Sequence, residues 1–540
     1  MAALKDEHGR ESPRVRPDHQ IPRGDAAAGH NVDGSVDTKV TVDEDIAMME
    51  TPFYVDTTPG QNPKKLDRDV EAKRQYPFAQ RPQAPAHSRT LTTVALFCLY
   101  YFTVCGGPVG TELSVSTGGP LLGLVGYIAF PILFNIPIAY AIAELCSSCP
   151  EDGGFAIWIL NTFGPFWGFL EGYWAWIGSV LDRILYVNIL YGYLNELLDF
   201  SSLSSVAAYM IKAGMALGLT IPSLFGSRTF SLVLTALLVL VIIPVLVFMV
   251  DGFVETHSLD QLGDVRVAGI TVFDDGEGST DVEFEGPMTV DWTVWINTLF
   301  WNLDGFYYVS VFGGQVANAA QAYPKAILWS GAVMWLSYVL PMLAAVGANT
   351  PHWSTWDEDA YPSIAQAIGG DSLYGIVLIG AIAGAVGMFL AEVYCEALQI
   401  WGMASCGLLP KIFQQREARF ETPLVAIFFS FVIVLLGLTF DLNAVMGVKN
   451  ALAGAVELLI LAAAVKMRQE LPDIPRPTKI PGPWIAMCVI LAPSAFLLVF
   501  LVVNVMVEPT SAIAFLVITA VGGILAAIQH WNFRRYRVVT

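Results

Sequence analysis

The sequence predicts an all-α integral membrane protein with about 12 transmembrane helices. Hydrophobic residues make up 54% of the 540 residues and charged residues only 14%, a balance that is typical of polytopic membrane proteins and unusual for globular enzymes. Apolar stretches of roughly 20 residues, enough to cross a hydrocarbon layer of about 30 Å, recur along the chain. The expected spans are residues 91–118, 120–146, 163–195, 203–221, 229–250, 291–320, 325–349, 371–407, 422–440, 443–466, 483–505 and 510–533.

The first 90 residues differ in composition from the rest. They are rich in Pro, Asp, Arg and Gly and contain no long apolar run, which predicts a disordered tail. The Lys and Arg residues outside the spans fall in alternate loops, and Arg266 is the exception. By the positive-inside rule, this pattern with an even number of spans predicts that both termini are cytoplasmic.

The net charge is −19, and most acidic residues lie in the tail and in the loops expected outside, above all residues 251–290. An acidic vestibule of this kind concentrates cations near a transport pathway, but a simply solvated loop explains the same charges, and both interpretations stay open. Residues 265–273 alternate apolar and polar side chains, a Gly-rich acidic turn follows, and residues 282–284 resume the alternation. The pattern predicts a small external hairpin.

The seven cysteines do not predict a disulfide framework. Five lie within or at the ends of spans, and Cys146 and Cys149 form a C-x-x-C at the cytoplasmic end of the second span. Since no further Cys or His cluster lies nearby in the sequence, we expect no metal site.

Two spans are interrupted at matching places. The first contains Cys105-Gly106-Gly107-Pro108-Val109-Gly110, and the sixth contains Asn302-Leu303-Asp304-Gly305-Phe306. Irregular backbone survives in lipid only where it lines a protein cavity or a water path, although a single break is equally explained by a kinked helix. Spans one to five and six to ten each begin with a broken helix, and an odd number per half inverts the second half. The pattern therefore predicts a 5+5 inverted repeat with two added spans, and a secondary transporter with its substrate site at the breaks.

Ionisable side chains inside the spans are functional candidates, because a charge in the bilayer is costly. Glu112 follows the first break and Asp304 lies in the second. Glu392 and Glu396 are four residues apart and share one helix face. Asp182 either binds substrate or pairs with Arg183 or another helix, Glu171 is interpreted as an interfacial cap, and Glu457 with Lys449 as an internal ion pair. The predicted substrate-binding residues are Gly106, Gly107, Gly110, Glu112, Trp174, Asp182, Asn302, Asp304, Gly305, Phe306, Glu392, Tyr394 and Glu396.

Several motifs carry a family resemblance from about Leu91 to about Val503. They are Gly119-Pro120-Leu121-Leu122, residues 150–155, residues 163–172, Tyr323-Pro324-Lys325-Ala326, residues 387–392, Gly407-Leu408-Leu409-Pro410 and Thr422-Pro423. On these residues the chain resembles the amino acid–polyamine–organocation (APC) superfamily, and most of all plant polyamine uptake transporters and L-type amino acid transporters. The resemblance implies a LeuT-type fold with helices 1 and 6 broken.

The match at the breaks is partial. Where polyamine members usually have G-I-E-D, the first break here has Gly110-Thr111-Glu112-Leu113, so only the glutamate is kept. The plant pattern N-L-N-Y-W-D becomes residues 302–307, and Asp304-Gly305-Phe306 instead resembles the N-G-W of L-type transporters, whose aromatic residue gates the site. The resemblance thus implies a gate at Phe306 and leaves the substrate open between polyamines and amino acids.

The resemblance implies a non-enzymatic secondary transporter of polyamines or cationic amino acids that works by alternating access in the plasma membrane. It implies no cofactor beyond a coupled proton or sodium ion and, because residues 196–205 lack a cysteine, no disulfide-linked heavy chain. A neutral amino acid exchanger and a nutrient sensor without transport are the alternatives. The expected division is a tail of residues 1–90, a transporter domain of residues 91–533 (repeats 91–250 and 291–466, acidic loop 251–290, added helices 483–533) and a basic tail of residues 534–540.

Overall fold

The computed structural model describes residues 91–539 apart from residues 201, 257, 275–279, 358, 359, 418, 440 and 441, so the expected N-terminal tail lies outside the described residues. The described chain is almost entirely helical. Its helices are α1 (Thr93–Val104), α2 (Glu112–Gly118), α3 (Pro120–Phe130), α4 (Ile136–Ser148), α5 (Gly154–Phe163), α6 (Pro165–Leu198), α7 (Ser205–Thr220), α8 (Gly226–Val254), α9 (Trp292–Leu303), α10 (Ala319–Ala348), α11 (Ala360–Ser405), α12 (Leu424–Gly437), α13 (Leu442–Glu470), α14 (Trp484–Asn504) and α15 (Pro509–Val539).

Local sequence explains where several helices begin. Thr92 and Asp291 cap α1 and α9, since their side-chain oxygens accept hydrogen bonds from the N–H groups of Ala95 (3.3 Å) and Val294 (3.0 Å). A proline opens α3 and α6, where its missing N–H is not needed. A π-helical turn at Pro131–Asn135 joins α3 to α4 within one expected span. These local features fix where the helices begin.

Within the described residues, seven helical stretches are long and apolar enough to cross a membrane. They are Pro120–Ser148, Ser205–Val254, Ala319–Ala348, Ala360–Ser405, Val445–Glu470, Trp484–Asn504 and Pro509–Asn532. The difference from 12 has physical reasons: two expected spans are broken into short helices, Ser205–Val254 joins two others, α6 carries buried charges, and α12 has only 14 residues. The structure supports an all-α multi-pass membrane protein, and the count of 12 stays a prediction.

Three segments differ from the sequence prediction. Residues 154–163, taken as part of a loop, form α5. Helix α11 begins at Ala360 rather than near residue 371, and non-helical torsions at Gly369 and Gly370 divide it into two pieces. Helix α15 continues to Val539, and the assignment of residues 534–540 to a basic tail stays a prediction. Each difference concerns a boundary, where hydropathy carries little information because helices continue past the apolar layer.

The predicted hairpin is confirmed. Strands β1 (Val267–Asp274) and β2 (Thr280–Met288) pair antiparallel, with Ile270 opposite Phe284. Arg266 fixes the base of the hairpin, because its guanidinium donates to the carbonyl oxygens of Ser116 (2.7 Å) and Ser354 (3.0 Å). The arginine that departs from the charge asymmetry therefore anchors the loop to α2 and to the segment after α10.

Helix α6 lies at the centre of the packing that positions the site. It packs against α11 and α13, and α1 packs against α8, α10 and α11. Buried polar side chains on α6, α11 and α13 therefore face one another beside the two breaks.

Candidate functional site at the two helix breaks

The two breaks are packed against each other. Gly107 (φ 109°), Gly110 (φ 93°) and Gly305 (φ 116°) have the positive torsions that favour glycine, as their sequence context predicts. A Cβ on Gly305 would collide with the carbonyl oxygen of Thr103 at the end of α1. Gly106 has an ordinary torsion, but a Cβ there would collide with the Met388 side chain. The glycines therefore allow the two breaks to approach each other closely and to adopt non-helical backbone torsions.

Side chains satisfy the carbonyl groups that the breaks leave without helical partners. The Tyr338 hydroxyl lies 3.0 Å from the carbonyl oxygen of Val104 and 2.7 Å from that of Asn302. The Asn302 amide donates to the carbonyl oxygen of Gly110 (3.0 Å), and the Asn135 amide donates to that of Leu303. The ends of α1 and α9 are thus fixed to each other through polar groups, which a buried helix end requires.

A buried lysine lies at the second break. Lys449 Nζ, on α13, is 3.2 Å from Asp304 Oδ2 and 3.4 Å from Asp182 Oδ2, and all three residues are buried. Asp182 Oδ1 accepts a hydrogen bond from the indole N–H of Trp301 (3.1 Å), and Asp304 Oδ1 accepts one from the N–H of Gly305 (2.6 Å). One ammonium group therefore contacts two carboxylates that the sequence assigned to substrate.

Two further acids extend this arrangement, which we call the Lys449 cluster: Lys449, Asp182, Asp304, Glu392 and Glu457. Glu392 is buried on α11 within electrostatic range of Asp182 and Lys449, and Glu457 is buried on α13 within range of Asp304 and Lys449. Oε2 of each glutamate has no hydrogen-bond partner among the described residues. The cluster holds four acids and one base, an acid surplus that suits cationic ligands or protons.

A second buried cation is balanced. Arg183, the neighbour of Asp182, forms an ion pair with Glu396, and both side chains are 1% exposed. We call these two residues the Arg183 pair. Asp182 therefore pairs with Lys449 and not with Arg183. The sequence paired Lys449 with Glu457, but its ion pairs are with Asp182 and Asp304, and Glu457 lies within electrostatic range. Ion-pair partners that lie on different helices cannot be matched from the sequence without the tertiary packing.

The remaining predicted residues lie around the breaks in different directions. Glu112 is fully buried at the start of α2, close to Tyr127 and Tyr361 rather than among the residues of the Lys449 cluster. Thr111 and Tyr361 share a hydrogen bond of 2.7 Å between their hydroxyls, so this end of the first break is fastened to α11. Trp174 is buried on α6, more than one helical turn before Asp182.

Phe306 and Tyr394 lie away from the Lys449 cluster. Phe306 packs on Tyr100, with ring centroids 6.1 Å apart, and lines an apolar cavity of about 490 Å³ between α3, α4 and α10. Tyr394 stacks on Phe230 with a centroid distance of 4.4 Å. Beside the Lys449 cluster, Trp301 donates a hydrogen bond to Asp182 and also covers Gly110.

Sequence reasoning missed three contributors to the site: Lys449 as a site residue, Trp301 and Tyr338. A lysine in an otherwise apolar span was a usable signal for the first. Glu171, interpreted as an interfacial cap, is fully buried in α6, with no hydrogen-bond partner for either oxygen among the described residues. Within the described chain, no group of three His, Cys, Asp or Glu side chains is placed to hold a metal ion.

Buried helices, matched breaks and an acid surplus between them define a multi-pass membrane protein with a polar site inside its helix bundle. A family model described as amino acid permease matches residues 91–527. The chain belongs to this family of transmembrane transporters, within the APC superfamily that its motifs resemble.

Individual relatives support the same membership. The chain is 32% identical over 401 residues to a probable polyamine transporter of Arabidopsis thaliana, with 74% of this chain and 76% of the relative covered. It is 31% identical over 422 residues to a polyamine transporter of Oryza sativa subsp. japonica, with 78% and 75% covered. A branched-chain amino acid permease of Bacillus subtilis is 24% identical over 404 residues, with 70% and 81% covered.

Proposed function

We propose that the chain is a secondary active transporter that moves polyamines or cationic amino acids across a membrane by alternating access, coupled to protons or another cation. The acid surplus of the Lys449 cluster carries the proposal. Four buried acids around one lysine attract positively charged ligands, and the cluster adjoins irregular backbone at the second break. The plant relatives, which are named polyamine transporters, agree with this substrate class.

In this proposal Asp182, Asp304 and Glu392 bind the ammonium groups of the substrate. The backbone at Gly107 and Gly110 lines the site, where positive torsions turn peptide groups away from helical pairing. Trp301 closes over the ligand from the side of the first break.

The other predicted site residues have secondary roles. Glu112 forms a separate acidic position beside Tyr361, and Glu396 stays paired with Arg183. Phe306 remains a candidate gate from the family resemblance. Gly106, Trp174, Asn302, Gly305 and Tyr394 shape or support the breaks.

The proposed architecture is the LeuT-type 5+5 inverted repeat of 12 spans. Residues 91–250 and 291–466 are the repeats, residues 251–290 form the acidic external loop, and residues 483–533 form the two added helices. Both termini face the cytoplasm, and the plasma membrane is the proposed location. A stand-alone chain, without a disulfide-linked heavy chain, is the proposed functional unit.

A neutral amino acid exchanger is the second candidate, and the contacts of Lys449 favour it. Because this lysine contacts both aspartates and offsets one of their two negative charges, the site has less charge for a cationic substrate. The first break is then left to bind an α-carboxylate through backbone N–H groups. The Bacillus subtilis relative is named a branched-chain amino acid permease. Competition of uptake by leucine but not by spermidine would favour this candidate.

The deciding experiment is uptake of labelled putrescine and arginine in a transport-deficient cell. Glu392→Gln removes one negative charge but keeps nearly the same side-chain shape, and it leaves both contacts of Lys449 in place. We therefore expect at least about a tenfold loss of uptake. Asp371→Asn, at an exposed acid on the same helix, is the matched control and keeps normal uptake. Normal cationic uptake by Glu392→Gln would contradict the role of the acid surplus.

A further inference from the structure

Lys449 offers the same chemical group as the proposed substrate. Its ammonium lies 3.2 Å from Asp304 and 3.4 Å from Asp182, the distances at which a substrate ammonium would bind these acids. The lysine is buried, so its ammonium already fills this subsite. Substrate and Lys449 cannot occupy the same position between the two aspartates.

Lysine suits reversible occupancy. Its ammonium is a compact charge on a flexible four-carbon stem, in contrast to the planar, two-pronged guanidinium of arginine. Glu392 and Glu457 lie within electrostatic range of Lys449, so acids remain for the lysine when a ligand takes its place. The Arg183 pair lacks this feature, because one acid faces one base.

An empty site without Lys449 would leave two buried carboxylates uncompensated. Such a state is costly inside a membrane protein and would resist a conformational change that keeps the site out of water. With Lys449 in place, the position between the two aspartates holds an ammonium group in the empty carrier, as it does in the loaded one. The lysine therefore lowers the cost of returning without substrate.

We propose that Lys449 is a tethered competitor that fills one ammonium subsite in the empty carrier, is displaced by substrate, and allows the empty carrier to return across the membrane. The inference rests on the proposed function. Its additional claim is that the chain performs net uptake of substrate and not only exchange. Displacement of the lysine also weakens apparent binding, since only the fraction of carriers with the lysine moved aside is competent to bind.

The test uses the full chain in proteoliposomes with labelled putrescine outside and either no amine or unlabelled putrescine inside. For Lys449→Gln we expect net uptake to fall at least about tenfold, exchange to stay within about threefold of wild type, and the KM of exchange to decrease. Lys466→Gln, at a lysine on the same helix that is 36% exposed and pairs with Glu470, is the matched control and behaves as wild type.

Several results would overturn the inference. If Lys449 has only a structural role, net uptake and exchange by Lys449→Gln fall together, or the KM of exchange by this variant rises. A wild-type ratio of net uptake to exchange also contradicts it. If the wild-type chain transports amines and only the Lys449→Gln results disagree, the proposed function survives and this inference does not. Absence of amine transport by wild type would overturn both the proposed function and this inference.

Lys449→Arg keeps the inference testable if Lys449→Gln does not yield folded protein by size-exclusion chromatography. The guanidinium keeps the charge and binds carboxylates at two points, so it is harder to displace. We expect a KM for putrescine at least about threefold above wild type, with the ratio of net uptake to exchange preserved. An unchanged KM in folded Lys449→Arg would overturn the inference.

Discussion

Two buried cations on neighbouring helices, Arg183 and Lys449, have opposite surroundings. Arg183 faces one acid, Glu396, whereas Lys449 contacts two aspartates with two more acids within electrostatic range. A balanced pair has no capacity for a further charge and serves to hold helices together. A cluster with an acid surplus keeps that capacity. The ratio of acids to bases, rather than the presence of buried charge, separates scaffold from site in this bundle.

The largest expected effect comes from breaking the balanced pair. Arg183→Gln leaves Glu396 buried without its partner, which costs about 3–5 kcal/mol, so we expect mainly aggregated protein. The double variant Arg183→Gln with Glu396→Gln removes both charges and should recover most of the thermal stability. Thermal unfolding and size-exclusion profiles in detergent measure this. A double variant as unstable as the single one would show that Glu396 is not simply a structural partner.

Trp301→Phe tests the Lys449 cluster, and a smaller effect is expected. The variant keeps an aromatic ring over Gly110 but loses the N–H that donates to Asp182 (3.1 Å). A hydrogen bond to a charged group contributes about 1.5–3 kcal/mol, so we expect the KM for putrescine to rise at least about tenfold with little change in protein level.

Trp176→Phe is the matched control for this prediction. The Trp176 indole donates to Ser430 (3.0 Å) on the side of the bundle near the Arg183 pair. We expect its loss to leave the KM for putrescine unchanged. Equal effects of the two substitutions on KM would contradict the distinction between scaffold and site.

The smallest effect is expected outside the membrane, at His352. Burial and, to a lesser degree, the nearby Arg266 lower the pKa of His352 from 6.5 to about 4. The unfolded chain binds this proton below pH 6.5 while the folded chain does not, so folded-state stability falls as the pH drops from about 6.5 to about 4 and is unaffected above. His352→Gln removes this dependence.

The measurement is the melting temperature of detergent-solubilised wild type and His352→Gln at several pH values. The two should differ in slope only between about pH 6.5 and about pH 4, where this one side chain binds a proton in the unfolded chain but not in the folded one. A slope difference at about pH 7–9 would show that another group is responsible.

The sequence predicted the breaks, the hairpin and the burial of Asp182, Asp304 and Glu392, because glycines and carboxylates within apolar spans are local signals. It did not predict their partners. Lys449 and Asp304 are 145 residues apart, and only the packing of α13 against the second break brings them together. Helix boundaries such as those of α5 and α11 were wrong because hydropathy does not detect caps or glycine breaks.

Ligand-induced thermal stabilisation tests the central claim most directly, namely that the acid surplus binds ammonium groups. A ligand at about 100 times its Kd stabilises the folded state by about 2.7 kcal/mol. We predict that putrescine raises the melting temperature of purified wild type and of the Arg183→Gln/Glu396→Gln double variant, but not that of Asp304→Asn. The amide introduced by Asp304→Asn retains an oxygen that can accept from the N–H of Gly305, so the break itself should persist. Equal stabilisation of Asp304→Asn, or stabilisation of wild type by leucine and not by putrescine, would contradict the account.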